Sequence, residues 1–503
     1  MCPLLPLLLA LARAAPQAEG IDLRLELARD PGGAPALELV VGAPGDADGE
    51  TVLALGLGWG GSDPEACDLE LLEVRGPDGA ALAWEPSGPG RWSVRHAPGA
   101  RLEAVARLAP TAHQDDDDPR VHYRPILNAR VLQLIGELAL PLPEDLEDAA
   151  PRPLRVEWLG ADALGWEPAC SLGRGPGPFV AELPLYRLRA SLFLAGEFEL
   201  FEHAVPGGTL LVAAAGEAWG FDRAEFARLA RDVVTLEREF FDDRSCPFYL
   251  VSLLPVGRAD ASRRSLGGTG LTDAFAVYSL PGVGLGEPGT GGDFASLLLH
   301  EMFHDWNGHT LRRVAPSERL FWFSEGFTSF YTRRLALRGG WMDAAAYAAD
   351  LDRVLGEYAA NPAREADAAR VEAEFWSDPD VQKQPYQLGD LIACRVDAAI
   401  RARSGGERSL DDFMRALVRE ALDAESGVLE IEIEDLLARL EAWTDPGTVA
   451  DVRASAVDGA PFELPPDTFA PLLEITYEPL AGGGERQRAR LVPAHAGDAS
   501  ARL

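Results

Sequence analysis

Short runs in which apolar and polar residues alternate follow one another from Ile21 to about Leu200. IDLRLELA, TVLALGLG, RWSVRH and LRVEWLG are examples, and Gly, Pro and Asp separate them. Alternation with a period of two predicts β-strands with one buried face. Many such strands in succession predict an N-terminal β-sandwich domain, to which we assign residues 19–200.

The pattern changes after about residue 200. Apolar residues three and four apart over Asp222–Phe241 predict an amphipathic helix, and PFYLVSLLP predicts a buried strand after it. The Gly-rich stretch Leu266–Gly292 has neither a GK[ST] ending nor a strand-to-helix G-x-G-x-x-G context. We therefore interpret it as a loop and an edge strand. From Asp293 to about Trp443 the chain is predicted to be mainly helical.

The fold class that these patterns predict is multidomain α+β. A chain of 503 residues has room for two or three domains, each with its own core. We assign residues 201–445 to a second, mainly helical domain. Residues 446–503 return to Pro, Gly and strand-like runs such as LLEITYEPL, and we assign them to a short C-terminal segment.

Residues 1–18 resemble a short secretory signal. The apolar run Leu4–Leu11 is followed by small residues at Ala12, Ala14 and Ala15. This predicts export to the periplasm or the extracellular space, and the alternative is a frayed apolar N-terminus. No later stretch reaches the roughly 18 uninterrupted apolar residues of a spanning helix, so no stable membrane insertion is predicted.

The formal net charge of −34 narrows the classes of partner. Such a chain repels phosphate backbones, which excludes nucleic acid as a partner, and it lacks basic patches that would bind anionic lipid.

Four cysteines remain beyond Cys2, and no Cys-x-x-Cys occurs. Export permits disulfides between them, and buried free thiols are the alternative.

The candidate chemistry lies in FASLLLHEMFHDWNGH, which contains His300, Glu301 and His304. Residues i and i+4 share one face of a helix, so both imidazoles can reach one metal ion. Glu301 can then address a water on that metal, and Asp293 is placed to cap the helix. The alternative is a buried helix that carries two histidines by accident.

A third ligand decides the subclass of metal site. A metzincin needs a histidine six residues after the second one, and His309 comes one residue early, so that interpretation fails. Glu325 lies twenty-one residues after His304, in a second predicted helix. Glu318 is the competitor, but its polar surroundings resemble an exposed helix start. Two His, Glu325 and an open position predict one catalytic Zn²⁺ per chain.

At this point the sequence resembles the glycyl aminopeptidase family of zinc peptidases, within the gluzincin group that includes thermolysin. The family's tryptophan-asparagine pair is matched by Trp306 and Asn307, and its SEGFTSYY segment by Ser324–Tyr331. Its tyrosine-x-x-glycine is matched by Tyr386 and Gly389. The resemblance implies that residues 201–445 form a thermolysin-like catalytic domain. It also implies that Tyr386 stabilises the tetrahedral intermediate; the alternative for Tyr386 is a core aromatic.

Two departures from the family bear on specificity and partners. Relatives carry a Gly-Gly-Leu-Glu-His segment before the zinc helix, whereas this chain has Gly267–Asp273 without a glutamate. Asp273 is the possible substitute for that substrate-placing side chain. Many relatives end in a PDZ module, and the roughly sixty residues after Trp443 are too few for one.

The function that the sequence predicts is a zinc-dependent metallopeptidase that acts on peptides. Glu301 is the expected base and Tyr386 the expected oxyanion donor, with His300, His304 and Glu325 on the metal. The resemblance favours an aminopeptidase. A thermolysin-like endopeptidase and a catalytically inactive scaffold are the alternatives, and the sequence specifies no oligomeric state.

Overall fold

The computed structural model describes residues 19–64, 67–111, 122–148, 150–258, 266–286, 293–424, 426–479 and 485–493. The predicted secretory signal, residues 1–18, lies outside these ranges. Contacts between residues divide the described chain into two compact units, and the second contains everything described from Phe198 onward.

The first unit is rich in β-structure and contains two short helices. Its elements are β1 (Ile21–Arg29), β2 (Pro35–Pro44), β3 (Glu50–Ala54), β4 (Leu69–Arg75), β5 (Trp84–Gly88), β6 (Arg91–Arg95), β7 (Arg101–Leu108), β8 (Ile126–Leu127), β9 (Val131–Ile135), β10 (Leu142–Pro143), β11 (Pro151–Leu159), α1 (Ala161–Leu164), β12 (Glu167–Cys170), β13 (Gly173–Arg174), β14 (Phe179–Pro184), α2 (Leu185–Arg189) and β15 (Leu192–Gly196).

Three sheets build this unit around one apolar core. Their strand orders are β14-β11-β1-β2-β7-β4, β10-β3-β6-β5 and β13-β12-β15-β9-β8. Strand β1 shows why the alternation arises, because Ile21, Leu23, Leu25 and Leu27 are buried while the residues between them are more exposed. The predicted β-rich N-terminal half is confirmed.

The second unit combines helices with one larger sheet. Its elements are β16 (Glu199–Val205), β17 (Gly208–Ala214), α3 (Arg223–Phe241), β18 (Phe248–Pro255), β19 (Leu266–Leu271), β20 (Ala274–Ser279), α4 (Phe294–Phe303), β21 (Leu311–Arg313), α5 (Phe321–Arg338), α6 (Ala344–Ala360), α7 (Ala368–Glu374), α8 (Pro379–Ser404), α9 (Leu410–Asp423), β22 (Leu429–Ile431), α10 (Ile433–Trp443), α11 (Pro446–Ala456), β23 (Leu473–Pro479) and β24 (Glu485–Leu491).

The five-stranded sheet of this unit has the order β16-β17-β18-β20-β19. The Gly-rich stretch supplies its edge strand, β19, as predicted. It also supplies β20, an interior strand whose six residues are all buried. That inner strand was not distinguishable in the sequence from the glycines around it, because a short apolar run has no periodicity of its own.

The predicted helical region is confirmed from α4 to α10. Helix α3 begins after Asp222, whose side chain accepts a hydrogen bond from the Ala224 amide at 2.8 Å. The C-terminal segment begins with a helix, α11, that the sequence did not predict, whereas its strand-like run LLEITYEPL supplies β23. Asp445 caps that helix and Pro446 is its first residue, a favoured N-terminal combination.

Within the described ranges, no helix is both long enough and apolar enough to cross a membrane. The four cysteines beyond Cys2 are all free thiols, which decides between the two alternatives that the sequence left open. Cys170 and Cys394 are fully buried.

Candidate metal centre and active site

Helix α4 carries the His-Glu-x-x-His motif. Its N-cap is Asp293, whose carboxylate accepts a hydrogen bond from the Ser296 amide at 2.8 Å, as the sequence predicts. The helix ends at Phe303, and His304 follows with helical torsion angles, φ −66° and ψ −14°. His300 and His304 therefore still project from one face, with ring centroids 5.0 Å apart.

Glu325 lies in the second turn of α5 and faces the two histidines. Its Oε2 atom is 3.5 Å from Nε2 of His300 and 3.2 Å from Nε2 of His304. The competing carboxylate, Glu318, lies in the short 3₁₀ helix before α5. The structure thus brings Glu325, rather than Glu318, to the two imidazoles.

The three donor atoms fit a zinc ion. Ligand atoms about 2.0–2.2 Å from a tetrahedral ion lie about 3.3–3.5 Å from one another, which is close to both N–O separations measured here. One donor atom from each side chain lies within 4.8 Å of the other two. Among the described residues no other group of three His, Cys, Asp or Glu side chains meets this condition. Two imidazoles and one carboxylate leave a fourth position open, as catalytic zinc sites do.

Electrostatics keeps the carboxylate of this group ionised. Burial disfavours the charge on Glu325, but His304 and His300 hold its pKa well below the ordinary value. Burial also disfavours the charged form of His304 and so lowers its pKa. The nearby Glu325 carboxylate outweighs burial and raises the pKa of His304 to about 9. The Nδ1 atom of His304 lies 3.2 Å from the carbonyl oxygen of Asn307. A proton on Nδ1 suits that contact and leaves Nε2 free for metal.

Glu301 lines a cavity beside the two histidines. Its carboxylate accepts a hydrogen bond from the backbone amide of Gly270 in the edge strand β19. Burial raises the pKa of Glu301 above its ordinary value, and the imidazoles and the Gly270 amide only partly oppose that rise. A raised pKa suits a group that must accept a proton and later donate it near neutral pH.

Tyr386 reaches the same site from α8. Its ring stacks on that of His300, with centroids 5.9 Å apart and an interplanar angle of 20°. Its hydroxyl lies beside the carboxylate of Glu325. Burial raises the pKa of Tyr386 well above its ordinary value, and the carboxylates of Glu325 and Glu301 raise it further. The hydroxyl therefore keeps its proton at neutral pH and remains a hydrogen-bond donor.

Two glycines explain how Glu325 and Tyr386 come together. A Cβ atom on Gly326 would lie 2.2 Å from Cα of Gly389, and one on Gly389 would lie 1.8 Å from the carbonyl oxygen of Trp322. Helices α5 and α8 therefore cross so closely that only hydrogen fits at both positions. This gives the tyrosine-x-x-glycine pattern a structural reason, because its glycine sets the distance from which the tyrosine acts.

Asn307 joins the two ligand-bearing helices. Its side chain is fully buried, and its Nδ2 atom donates to the carbonyl oxygens of Phe323 and Ser324, both at 3.1 Å, and to Thr328 Oγ1 at 3.2 Å. The sequence offered Asn307 only as a family match. Nothing local singled it out, because the neighbouring residues Asp305, His309 and Thr310 are polar as well.

Three polar residues that are close to the zinc helix in sequence or in the fold make their contacts elsewhere. Asp305 and His309 pair with each other at 3.7 Å, and the ring nitrogen of His304 uses the Asn307 carbonyl instead. Asp273 occupies the turn between β19 and β20, where its carboxylate neighbours the Cys246 thiol. Asp273 is not among the described residues that line the cavity.

The cavity beside Glu301 has a volume of about 340 Å³. Its far wall carries Asp350, Arg353 and Glu357 from α6 and a buried ion pair between α5 and α8. In that pair Arg333 donates to both carboxylate oxygens of Asp390, at 2.7 and 2.5 Å. This pair was not predictable from the sequence, because the two residues are fifty-seven positions apart and belong to different helices.

Comparison with known families agrees with this geometry. Residues 293–385 match the family model of the M61 glycyl aminopeptidases. The match spans the zinc helix, Glu325 and the residue before Tyr386, and it confirms the resemblance noted in the sequence. Among curated proteins, no sequence matches the chain significantly. The family match and the three-residue donor group together support a zinc metallopeptidase.

Solved structures share the fold at low sequence identity. An aminopeptidase N family protein from Idiomarina loihiensis is 16% identical, with a TM-score of 0.64 over 91% of this chain and 79% of that one. An M1 zinc metallopeptidase from Deinococcus radiodurans is 18% identical, with a TM-score of 0.54 over 89% and 95%. One structure of a glutamate-to-alanine variant of that enzyme has a Tyr-Ser-Ala substrate bound. These similarities confirm the predicted multidomain α+β architecture.

Proposed function

We propose that this chain is a zinc-dependent aminopeptidase. The observation that carries the proposal is the convergence of His300, His304 and Glu325 beside the half-buried side chains of Glu301 and Tyr386. Base, ligand set and hydroxyl donor come from three helices, so their proximity results from the fold. The match of residues 293–385 to glycyl aminopeptidases supports the same reaction class.

The three ligands would hold one zinc ion, which when bound supplies Lewis acidity toward the scissile carbonyl and the attacking water. Glu301 accepts a proton from that water and returns it to the amine as the C–N bond breaks. One water is thus added across the peptide bond. Tyr386 donates its hydroxyl hydrogen to the oxygen of the scissile carbonyl as negative charge develops there.

The edge strand β19 offers a place for the substrate backbone. It lies at the end of the sheet, and its Gly270 amide already contacts Glu301. An extended peptide can add to the edge strand of a sheet through backbone hydrogen bonds, which would carry its scissile bond past the base. Gly270 also keeps this strand close to the zinc helix, since a Cβ there would lie 2.9 Å from the Glu301 carbonyl oxygen.

The test compares the wild type with Glu301→Gln on peptides with free and with acetylated N-termini, with zinc content measured in both proteins. We expect one zinc in each and a loss of turnover of about 10²–10⁴-fold in the variant. Glu372→Gln is the matched control, because Glu372 lies on α7 and pairs with Arg319 at the surface. A zinc-loaded wild type that cleaves none of the peptides would refute the proposal.

A thermolysin-like endopeptidase is the second candidate, and the position of Asp273 favours keeping it. No described residue of β19, β20 or their turn brings a carboxylate into the cavity, where an aminopeptidase needs a partner for the free amine. Equal cleavage of acetylated and free peptides by the wild type would identify the endopeptidase. Cleavage restricted to free amines would identify the aminopeptidase.

A further inference from the structure

Arg313 ends the short strand β21, which pairs in parallel with β22. Neighbouring side chains of a strand point to opposite faces. Arg312 accordingly forms an ion pair with Glu430 of β22 at the surface. Arg313 projects to the other face, and its guanidinium lies 5.1 Å from the ring centre of Phe321.

The guanidinium of Arg313 has unused donors. Its Nε atom is buried without a hydrogen-bond partner, and none of the described acidic side chains lies within ion-pairing distance of it. Arg313 as a whole is half-buried, but its buried Nε–H group has given up water and gained no bond in return, which is unfavourable. Burial accordingly lowers the pKa of Arg313.

Arg313 faces the proposed active site. Phe321, over which it stacks, is four residues before Glu325 on α5, so both side chains lie on the same helix face one turn apart. Tyr386 packs against the apolar cluster that contains Phe321. Glu325 is also the first charged group that acts on Arg313 against this effect of burial. An unpaired guanidinium therefore stands beside the metal ligand and the hydroxyl donor.

We propose that Arg313 binds a carboxylate of the peptide substrate. The proposal rests on the proposed peptidase function and names a substrate class, which is short peptides with a negative charge near the scissile bond. A guanidinium presents parallel N–H donors that match the two oxygens of a carboxylate. That carboxylate is either the C-terminus of a di- or tripeptide or an acidic side chain next to the cleaved bond.

Binding to the inactive zinc-loaded Glu301→Gln protein tests the inference without turnover. Calorimetric titration compares Ala-Ala-Ala as the free acid, Ala-Ala-Ala amide, and Ala-Glu-Ala amide. We expect the free acid to bind roughly 10–100-fold tighter than its amide, the range of a charge-assisted hydrogen-bonded pair. If Ala-Glu-Ala amide shows the gain instead, the acidic side chain is the source of the carboxylate.

Arg313→Met in the same background should reduce the preference for a carboxylate to within about twofold, while Arg313→Lys should keep part of it. Arg312→Met is the matched control and should leave the preference unchanged, because Arg312 pairs with Glu430 on the opposite face. Zinc content and thermal unfolding show whether each variant is folded.

Three results would overturn the inference: equal binding of all three peptides, an unchanged preference in folded Arg313→Met, or no detectable binding at millimolar concentration. Hydrolysis by the wild type separates this inference from the peptidase proposal. Cleavage without any effect of a carboxylate removes Arg313 from substrate binding and leaves the peptidase standing. A carboxylate preference in binding without any cleavage would remove the peptidase and leave a peptide-binding site.

Discussion

Substitution of Asn307 by alanine should weaken zinc binding although Asn307 contacts no metal. Its amide group donates to two carbonyl oxygens just before Glu325 and to Thr328 Oγ1. The backbone carbonyl oxygen of Asn307 lies 3.2 Å from Nδ1 of His304. One residue thus sets the spacing between the helix that carries the histidines and the helix that carries the glutamate.

The magnitude follows from the bonds that are lost. An NH₂ group has two hydrogens for the three acceptors, so alanine removes about two net hydrogen bonds of about 1 kcal/mol each. The small void left at a fully buried position adds to this, for a total of about 2–4 kcal/mol of unfolding free energy. Partners that orient metal ligands typically change metal affinity by about 10–100-fold when they are removed.

The assay is zinc affinity by competition with a chromophoric chelator, together with urea unfolding of the zinc-free protein. We expect Asn307→Ala to lose zinc affinity by about 10–100-fold. Asn307→Asp should lose more, because its carboxylate would face two carbonyl oxygens. Asn361→Ala is the matched control. Asn361 is also buried and donates to the carbonyl of Asp380 and to Gln387, at 3.0 and 2.9 Å, away from the ligands.

The control separates positioning of the ligands from general stability. Asn361→Ala should lose comparable unfolding free energy while its zinc affinity stays within about threefold of the wild type. If folded Asn307→Ala binds zinc as tightly as the wild type, the role of this amide in ligand spacing is refuted. If Asn361→Ala loses as much zinc affinity as Asn307→Ala, the effect reflects stability alone.

Three further predictions address the metal, the hydroxyl and pH. Removal of zinc with a chelator should lower the unfolding temperature, and added zinc should restore it. Zinc at 1,000 times its Kd adds about 4 kcal/mol to the unfolding free energy, and scanning calorimetry measures the resulting shift in unfolding temperature. Tyr386→Phe should reduce kcat by about 10²–10³-fold with unchanged zinc content; unchanged kcat would leave Tyr386 a core aromatic. Burial raises the pKa of Asp397, but Arg334 and Arg401 outweigh burial and hold that pKa below its ordinary 3.8. The ionised carboxylate therefore stabilises the folded protein above about pH 4, and this stabilisation is lost as the pH falls further. Unfolding of Asp397→Asn across this range should depend less on pH than that of the wild type.

The sequence was sufficient for the parts of the site that depend on local spacing. Positions i and i+4 put His300 and His304 on one face, and Asp293 caps their helix as predicted. Both features depend on a single helix, so their geometry follows from periodicity. The alternating strands of the first unit were predictable for the same reason.

What escaped prediction depends on contacts between distant elements. The ion pair of Arg333 with Asp390 and the unpaired guanidinium of Arg313 are visible only once four elements have packed. A lone arginine in a sequence is most often exposed, and nothing local distinguishes Arg313 from Arg312 beside it. Only the register of β21 on β22 decides which of the two faces the site.

The tyrosine-x-x-glycine pattern shows how a sequence motif and a tertiary contact are connected. The glycine pair Gly326–Gly389 allows α5 and α8 to cross with almost no space between their backbones. Glu325 precedes the first glycine by one residue, and Tyr386 precedes the second by three, so both side chains emerge beside the crossing. A side chain at either glycine would separate the helices and move the hydroxyl of Tyr386 away from Glu325 and the metal. The glycines therefore position the active site as directly as the residues that would do the chemistry.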